Sequence, residues 1–191
     1  MRKDLILCGV GGQGTVLASR LISSAAMARG LPVHSAETIG MAQRGGSVFS
    51  HIRIGEGVYS PMNARGEADL IIGFEPAEAV RMLPFLKPDG RVVVSDRGVV
   101  PVTAALSGGD YRPEAMIEYL RDTVPNLTVV EAERALSEVG HPKVLNLILL
   151  GAALFDGSLG LSEEDLAGAV ERLIPEKLRE TNLRALRWAG L

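Results

Sequence analysis

The apolar positions change period along the chain. Residues 4–10 form a short apolar run ending at Gly9-Val10-Gly11-Gly12-Gln13-Gly14, the pattern of a buried strand followed by a tight turn. From 15 to 29, Val16, Leu17, Leu21, Ile22 and Ala25 recur at three- and four-residue spacing, a helical period that Gly30 ends. A second strand is expected over 31–36, then a polar, glycine-containing loop over 37–46. Residues 47–54 alternate, Val48, Ser50, Ile52 and Ile54 against Phe49, His51 and Arg53, which predicts a strand with two different faces. After the turn at Gly55-Glu56-Gly57, residues 58–60 are expected to return as a hairpin partner. The pattern then gives a strand over 69–74, a helix over 76–86, a turn at Lys87-Pro88-Asp89-Gly90 and a buried strand over 91–95. A helix over 112–123, a strand over 127–130 and a short helix over 132–139 follow. From 144 onward the chain reads as mostly helical, with a capping-box-like start at Ser162 and Asp165. Strands alternating with helices argue an α/β fold: Rossmann-like and doubly wound, with a mostly parallel sheet and a helical C-terminal section. No repeat or linker interrupts it, so residues 1–191 are expected to form a single domain.

Composition narrows the classes of function. Hydrophobic residues make up 47%, which leaves apolar surface for a partner to cover, although a sheet buried on both faces also uses many of them. The net charge is −3 and the 20 basic residues are dispersed, which argues against nucleic acid. The longest apolar run, around 144–155, is broken by Asn146 and Gly151 and is short of a membrane span. The N-terminal apolar stretch turns into glycines too soon for a signal peptide, and a cytoplasmic protein is expected. A lone cysteine, Cys8, cannot supply the thiolates of an ordinary iron–sulfur cluster, and His34, His51 and His141 show no ligand spacing. No metal-binding residue is assigned; metal or cluster chemistry has to come from another chain.

Gly9-x-Gly11-x-x-Gly14 stands where a dinucleotide fingerprint belongs, after a strand and opening a helix. The helix N-terminus offers unpaired N–H groups to a phosphate, and Thr15 adds a hydroxyl. The acidic residue that would hold a ribose is missing from 29–36, and Glu37 comes late. A pyrophosphate or carboxylate seat and a glycine turn used only for packing both fit. Gln43-Arg44-Gly45-Gly46-Ser47 is the second candidate, because an arginine beside paired glycines can present its guanidinium fork while backbone comes close. Nothing resembles a nucleophile with its base. Ser50 and His51 are neighbours whose side chains leave a strand on opposite faces, Glu67 and Asp69 flank a turn, and Cys8 fits a core position. No catalytic residue is assigned.

Several segments together carry a family resemblance: Gly9 through Thr15 before a helix, Glu37-Thr38-Ile39-Gly40-Met41-Ala42-Gln43-Arg44-Gly45-Gly46-Ser47-Val48, Ser50-His51-Ile52-Arg53-Ile54, and Gly66-Glu67-Ala68-Asp69. Asn146 with Leu150-Gly151-Ala152, and the closing helix over 175–182, fit as well. The chain resembles, over nearly its whole length, the gamma-type domain of pyruvate, ketoisovalerate and other 2-oxoacid:ferredoxin oxidoreductases. It is most similar to the beta subunits of the indolepyruvate type. The resemblance implies a small subunit of a heteromeric enzyme that oxidatively decarboxylates a 2-oxoacid, an arylpyruvate, to an acyl-CoA and reduces ferredoxin. Thiamine diphosphate, Mg and the iron–sulfur clusters would belong to a larger partner subunit. In agreement, Gly109-Asp110 is followed by Tyr111 rather than by the glycine of a thiamine diphosphate motif. The resemblance places Gly9, Gly11, Gly12, Gln13, Gly14, Thr15, Arg44, Gly45 and Gly46 at a surface facing coenzyme A or the larger subunit. Two other readings stay open: a stand-alone coenzyme A- or nucleotide-binding Rossmann module, and an independent oxidoreductase using NAD or a flavin. An isolated chain could also pair with a second copy through uncovered apolar surface.

Overall fold

The computed structural model describes residues 2–38, 45–100, 111–155, 157–188 and 190. Its strands are β1 (Lys3–Val10), β2 (Val33–Glu37), β3 (Ser47–Ile54), β4 (Ala68–Gly73), β5 (Leu86–Ser95) and β6 (Asn126–Val130). Its helices are α1 (Thr15–Ala28), α2 (Pro76–Met82), α3 (Pro113–Thr123), α4 (Ala132–Val139), α5 (Leu145–Phe155), α6 (Glu163–Leu173) and α7 (Glu176–Leu186). The strands form one sheet in the order β2-β3-β1-β4-β5-β6. β1, β4, β5 and β6 run parallel, whereas β3 is antiparallel to both its neighbours, β1 and β2.

Side chains alternate across the sheet and build a core on each face. Leu5 and Leu7 of β1, Ile52 and Ile54 of β3, and Leu70 and Ile72 of β4 meet α1 and α4–α7. Ile6 and Cys8, Ile71, Val92 and Val94 face α2 and α3 instead. α5 is buried on almost every side, which explains its nearly unbroken run of Leu, Ile and Ala. No described helix is long and apolar enough to cross a membrane.

Two local expectations are corrected. Residues 58–60 do not form a hairpin strand, because both edges of β3 are already taken by β1 and β2. The Arg53 guanidinium instead donates to the carbonyls of Ser60 and Met62, each at 3.3 Å. The Lys87–Gly90 turn lies inside β5. Leu86 pairs with Ala68 and Arg91 with Leu70, so the four residues between them bulge out opposite Asp69 alone. Lys87 closes that bulge by donating to the Asp69 carboxylate.

Candidate functional site

In a doubly wound sheet, ligands enter at the carboxyl ends of the strands where successive helices leave for opposite faces. Here that point lies between β1, whose helix α1 packs on one face, and β4, whose helix α2 packs on the other. The glycine loop of residues 9–14 sits on it.

Each glycine of the loop meets a specific constraint. A Cβ on Gly9 would stand 2.6 Å from the Gln13 side chain and 2.8 Å from Phe74 Cβ. Gly12 and Gly14 have φ of 103° and 88°, a region in which only glycine is at ease. A Cβ on Gly14 would also stand 2.9 Å from the Asn146 amide. Gln13 turns its side chain inward: its Oε1 accepts from Val10 N at 2.7 Å and its Nε2 donates to Phe74 O at 3.0 Å. It thereby ties the end of β1 to the end of β4, and both ends of its amide are committed to backbone. Thr15 is buried in the first turn of α1.

The two glycine segments singled out in the sequence are brought together. Gly11 N donates to Gly46 O at 2.8 Å, and Gly45 N donates to Gly11 O at 3.3 Å. Arg44 lies outside the described residues. Glu37 ends β2, and β3 stands between that strand and β1. With strands about 4.8 Å apart, Glu37 sits about 10 Å to the side of the glycine loop. It lines a different cavity, of about 820 Å³, together with Arg20 and Arg172. The fingerprint is therefore without its ribose carboxylate in space as well as in sequence, which weighs against a dinucleotide.

Beside the loop, a set of buried polar groups that sequence reasoning missed fixes the start of α2. Glu75 is fully buried and caps α2, its Oε2 accepting from Glu78 N at 3.0 Å. The Tyr111 hydroxyl donates to its other oxygen. Burial pushes the Glu75 carboxyl above its ordinary range, and burial beside Glu75 pushes the Tyr111 phenol up as well. Glu78 accepts from the Ser47 hydroxyl at 2.6 Å and pairs with Arg81 at 3.3 Å. The signal was present, since Glu75-Pro76-x-Glu78 is an acidic N-cap, a proline at the first helical position and an acid in the first turn. Cys8 is a buried core thiol, pushed well up by burial. His51 is buried, accepts from Asn63 N at 3.2 Å through Nδ1, and is lowered by burial. Ser50 and His51 form no dyad. No group of three or more potential metal ligands occurs among the described residues.

The glycine loop opens into a cleft of about 490 Å³ between α1 and the start of α5. Gly12, Gly14 and Leu17 line one wall and Leu145 and Asn146 the other, with Arg97 and Lys143 also lining it. Asn146 is 4% exposed, and its Oδ1 has no hydrogen-bond partner. α1 begins on Gly14 without a side-chain cap and has no acid in its first turn. Its unpaired N–H groups and positive dipole end therefore favour an anion. The cavity at Glu37 is larger but lies away from the carboxyl ends of β1 and β4, so the smaller cleft is the better candidate.

Comparison with known proteins gives one consistent answer. Residues 4–190 match the family described as pyruvate ferredoxin/flavodoxin oxidoreductase. Indolepyruvate oxidoreductase subunit IorB of Methanothermobacter thermautotrophicus is 37% identical, over 98% of this chain and 95% of that one. The solved gamma subunit of a keto/oxoacid ferredoxin oxidoreductase from Geobacter sulfurreducens PCA superimposes with a TM-score of 0.68, at 22% identity, covering 98% of this chain and 93% of that one. A 2-oxoglutarate:ferredoxin oxidoreductase from Magnetococcus marinus, solved with 2-oxoglutarate, coenzyme A and succinyl-CoA bound, also gives 0.68 at 20% identity. There the match spans 97% of this chain and 30% of the larger one. At these identities the two structures show a shared fold.

Proposed function

Because the chain belongs to the pyruvate ferredoxin/flavodoxin oxidoreductase family, we propose that it is the small subunit of a heteromeric, indolepyruvate-type 2-oxoacid:ferredoxin oxidoreductase. In that reaction the carboxyl group of the 2-oxoacid leaves as carbon dioxide, the acyl carbon passes to the sulfur of coenzyme A as the thiol gives up its proton, and the two electrons released pass to ferredoxin. The larger subunit would supply thiamine diphosphate, Mg and the iron–sulfur clusters, and with them the bond breaking and electron transfer. This chain's part is to bind and to orient.

The observation that carries the reading is the anion-favouring cleft at the glycine loop. Gly9, Gly11, Gly12, Gln13, Gly14, Thr15, Gly45 and Gly46 form the surface proposed to face coenzyme A or the larger subunit, and Arg44, which precedes Gly45 in the sequence, is proposed to belong with them. Gln13 acts there by holding the loop rigid against the end of β4. The missing glycines' side chains let backbone N–H groups approach a phosphate closely. The indolepyruvate assignment is supported by the 37% identity to the Methanothermobacter subunit.

A tagged pull-down from the native cell tests this. A large co-eluting chain carrying iron and thiamine diphosphate, with 2-oxoacid-dependent ferredoxin reduction fastest on an arylpyruvate, is the expected result. A colourless chain that captures no partner would overturn the subunit reading and leave a stand-alone coenzyme A- or nucleotide-binding module.

A further inference from the structure

One wall of the cleft belongs neither to the glycine loop nor to the start of α5. Arg97 and Val99, in the segment that follows β5, form it. We propose that Glu75 and Tyr111 are positioning residues for this wall: together they clamp residues 97–99 in place and so govern ligand affinity through Arg97. The inference rests on the reading that a ligand of the coenzyme A class enters the cleft. It adds two residues that touch no ligand and that the reading does not contain.

The clamp is built on one carboxylate. Glu75 is fully buried, and its Oε2 accepts from Glu78 N at 3.0 Å as the cap of α2. A serine would cap the helix as well and would bury no charge. The remaining acceptor capacity of the carboxylate is used across the site instead. It accepts from the Val99 N–H, and its Oε1 accepts from the Tyr111 hydroxyl. The tyrosine oxygen in turn accepts from Ala77 N, so the phenol is fixed from both sides. Val99 follows β5 and Tyr111 precedes α3, so a single side chain joins two segments that lie in neither strand nor helix. Hydrogen bonds to a carboxylate are roughly twice as strong as those between neutral groups, which suits a joint of this kind.

Packing closes the clamp. A Cβ on Gly98 would stand 2.7 Å from Pro113 Cβ and 3.1 Å from the Tyr111 ring, so a side chain there would push the wall away. On its other side the wall is tied to the sheet. Ser95 Oγ accepts from Arg97 N at 3.0 Å, and Asp96 Oδ1 accepts from Ala132 N at 2.8 Å. Arg97 thus stands between two fixed points. Its guanidinium makes only a long contact to Glu133, 3.9 Å across exposed surface, too weak to hold it away from a ligand.

Two measurements on the full chain test this, with Tyr111→Phe, Glu75→Gln and Arg97→Ala. Tyr111→Phe keeps the ring against Gly98, and it carries the test if Glu75→Gln fails to fold. The first measurement needs no ligand. Amide hydrogen exchange followed by NMR should be about tenfold faster at Val99 in both clamp variants, with the amides of Val92 to Val94 in β5 unchanged, which marks local release rather than unfolding. The second is a calorimetric double-mutant cycle with coenzyme A. Arg97→Ala should weaken binding roughly tenfold, the loss of a contact between charged groups, and Tyr111→Phe roughly threefold to tenfold. In the Arg97→Ala background Tyr111→Phe should weaken it no further, because the phenol acts through the arginine. Effects that multiply, or a Tyr111→Phe chain that exchanges and binds as wild type does, would overturn the clamp and leave the coenzyme A reading standing. If wild type binds no coenzyme A, that reading fails and Val99 exchange alone decides the clamp: faster exchange keeps it, unchanged exchange removes it.

Discussion

Gln13→Ala tests whether the loop glutamine is a latch of the fold. Its amide accepts from Val10 N at 2.7 Å and donates to Phe74 O at 3.0 Å, at the point where β1 and β4 release their helices. Alanine leaves both backbone groups without these bonds. Val10 is 4% exposed and Phe74 fully buried, so water reaches neither freely. A buried group stripped of its partner costs about 1–3 kcal/mol, and the two together about 2–4 kcal/mol if water partly relieves one. That is a large share of the roughly 5–15 kcal/mol that holds a domain together. Urea unfolding followed by circular dichroism should show a lower midpoint at an unchanged slope. Gln13→Glu is the informative companion, since it keeps the acceptor for Val10 N but turns a carboxylate toward the Phe74 carbonyl. It should therefore be no more stable than the alanine variant at neutral pH. A loss below about 0.5 kcal/mol for Gln13→Ala would show that the latch is ornamental and that the glutamine is held for its ligand.

Three further outcomes follow from the same geometry. Gly14→Ala should cost about 1–3 kcal/mol from its positive φ, plus a steric share against Asn146; adding Asn146→Ala should recover the steric share alone, measured as the coupling in a double-mutant cycle. Asp4, 2% exposed, accepts from Arg53 Nε at 2.8 Å, so Asp4→Asn should lower stability by about 3 kcal/mol in chemical unfolding, and a neutral result would dismiss the pair as structural. Burial lowers the His51 pKa, so the unfolded chain takes up a proton that the fold refuses. Stability is then complete above the unfolded value of about 6.5 and falls as the pH drops from there toward the lower folded value. His51→Gln should flatten that acid slope in unfolding curves taken between about pH 7 and 5.

The sequence by itself determined most of the elements, the strand expected at 58–60 and the turn at 87–90 excepted. Helix α4 is found where its spacing predicts, and α3 and β6 within a residue of it, because an amphipathic period is a local property of the chain. The glycine loop was legible for the same reason: strand, turn and helix start lie within a dozen consecutive residues. Strand pairing is not local, and there the tertiary structure decided. The alternation of residues 47–54 announced a strand but not that it would enter antiparallel between β1 and β2, taking the edge a hairpin needed and setting Glu37 two strands from the loop. The joining of Gly11 to Gly45 and Gly46, the tie from Gln13 to Phe74, and the seat of Tyr111 on Glu75 are likewise contacts between distant segments. Asn146 is the clearest case. In the sequence it is a polar break in an apolar helix, and only the packing of α5 against α1 sets its amide nitrogen against Gly14 and leaves its buried Oδ1 without a partner at the edge of a cleft.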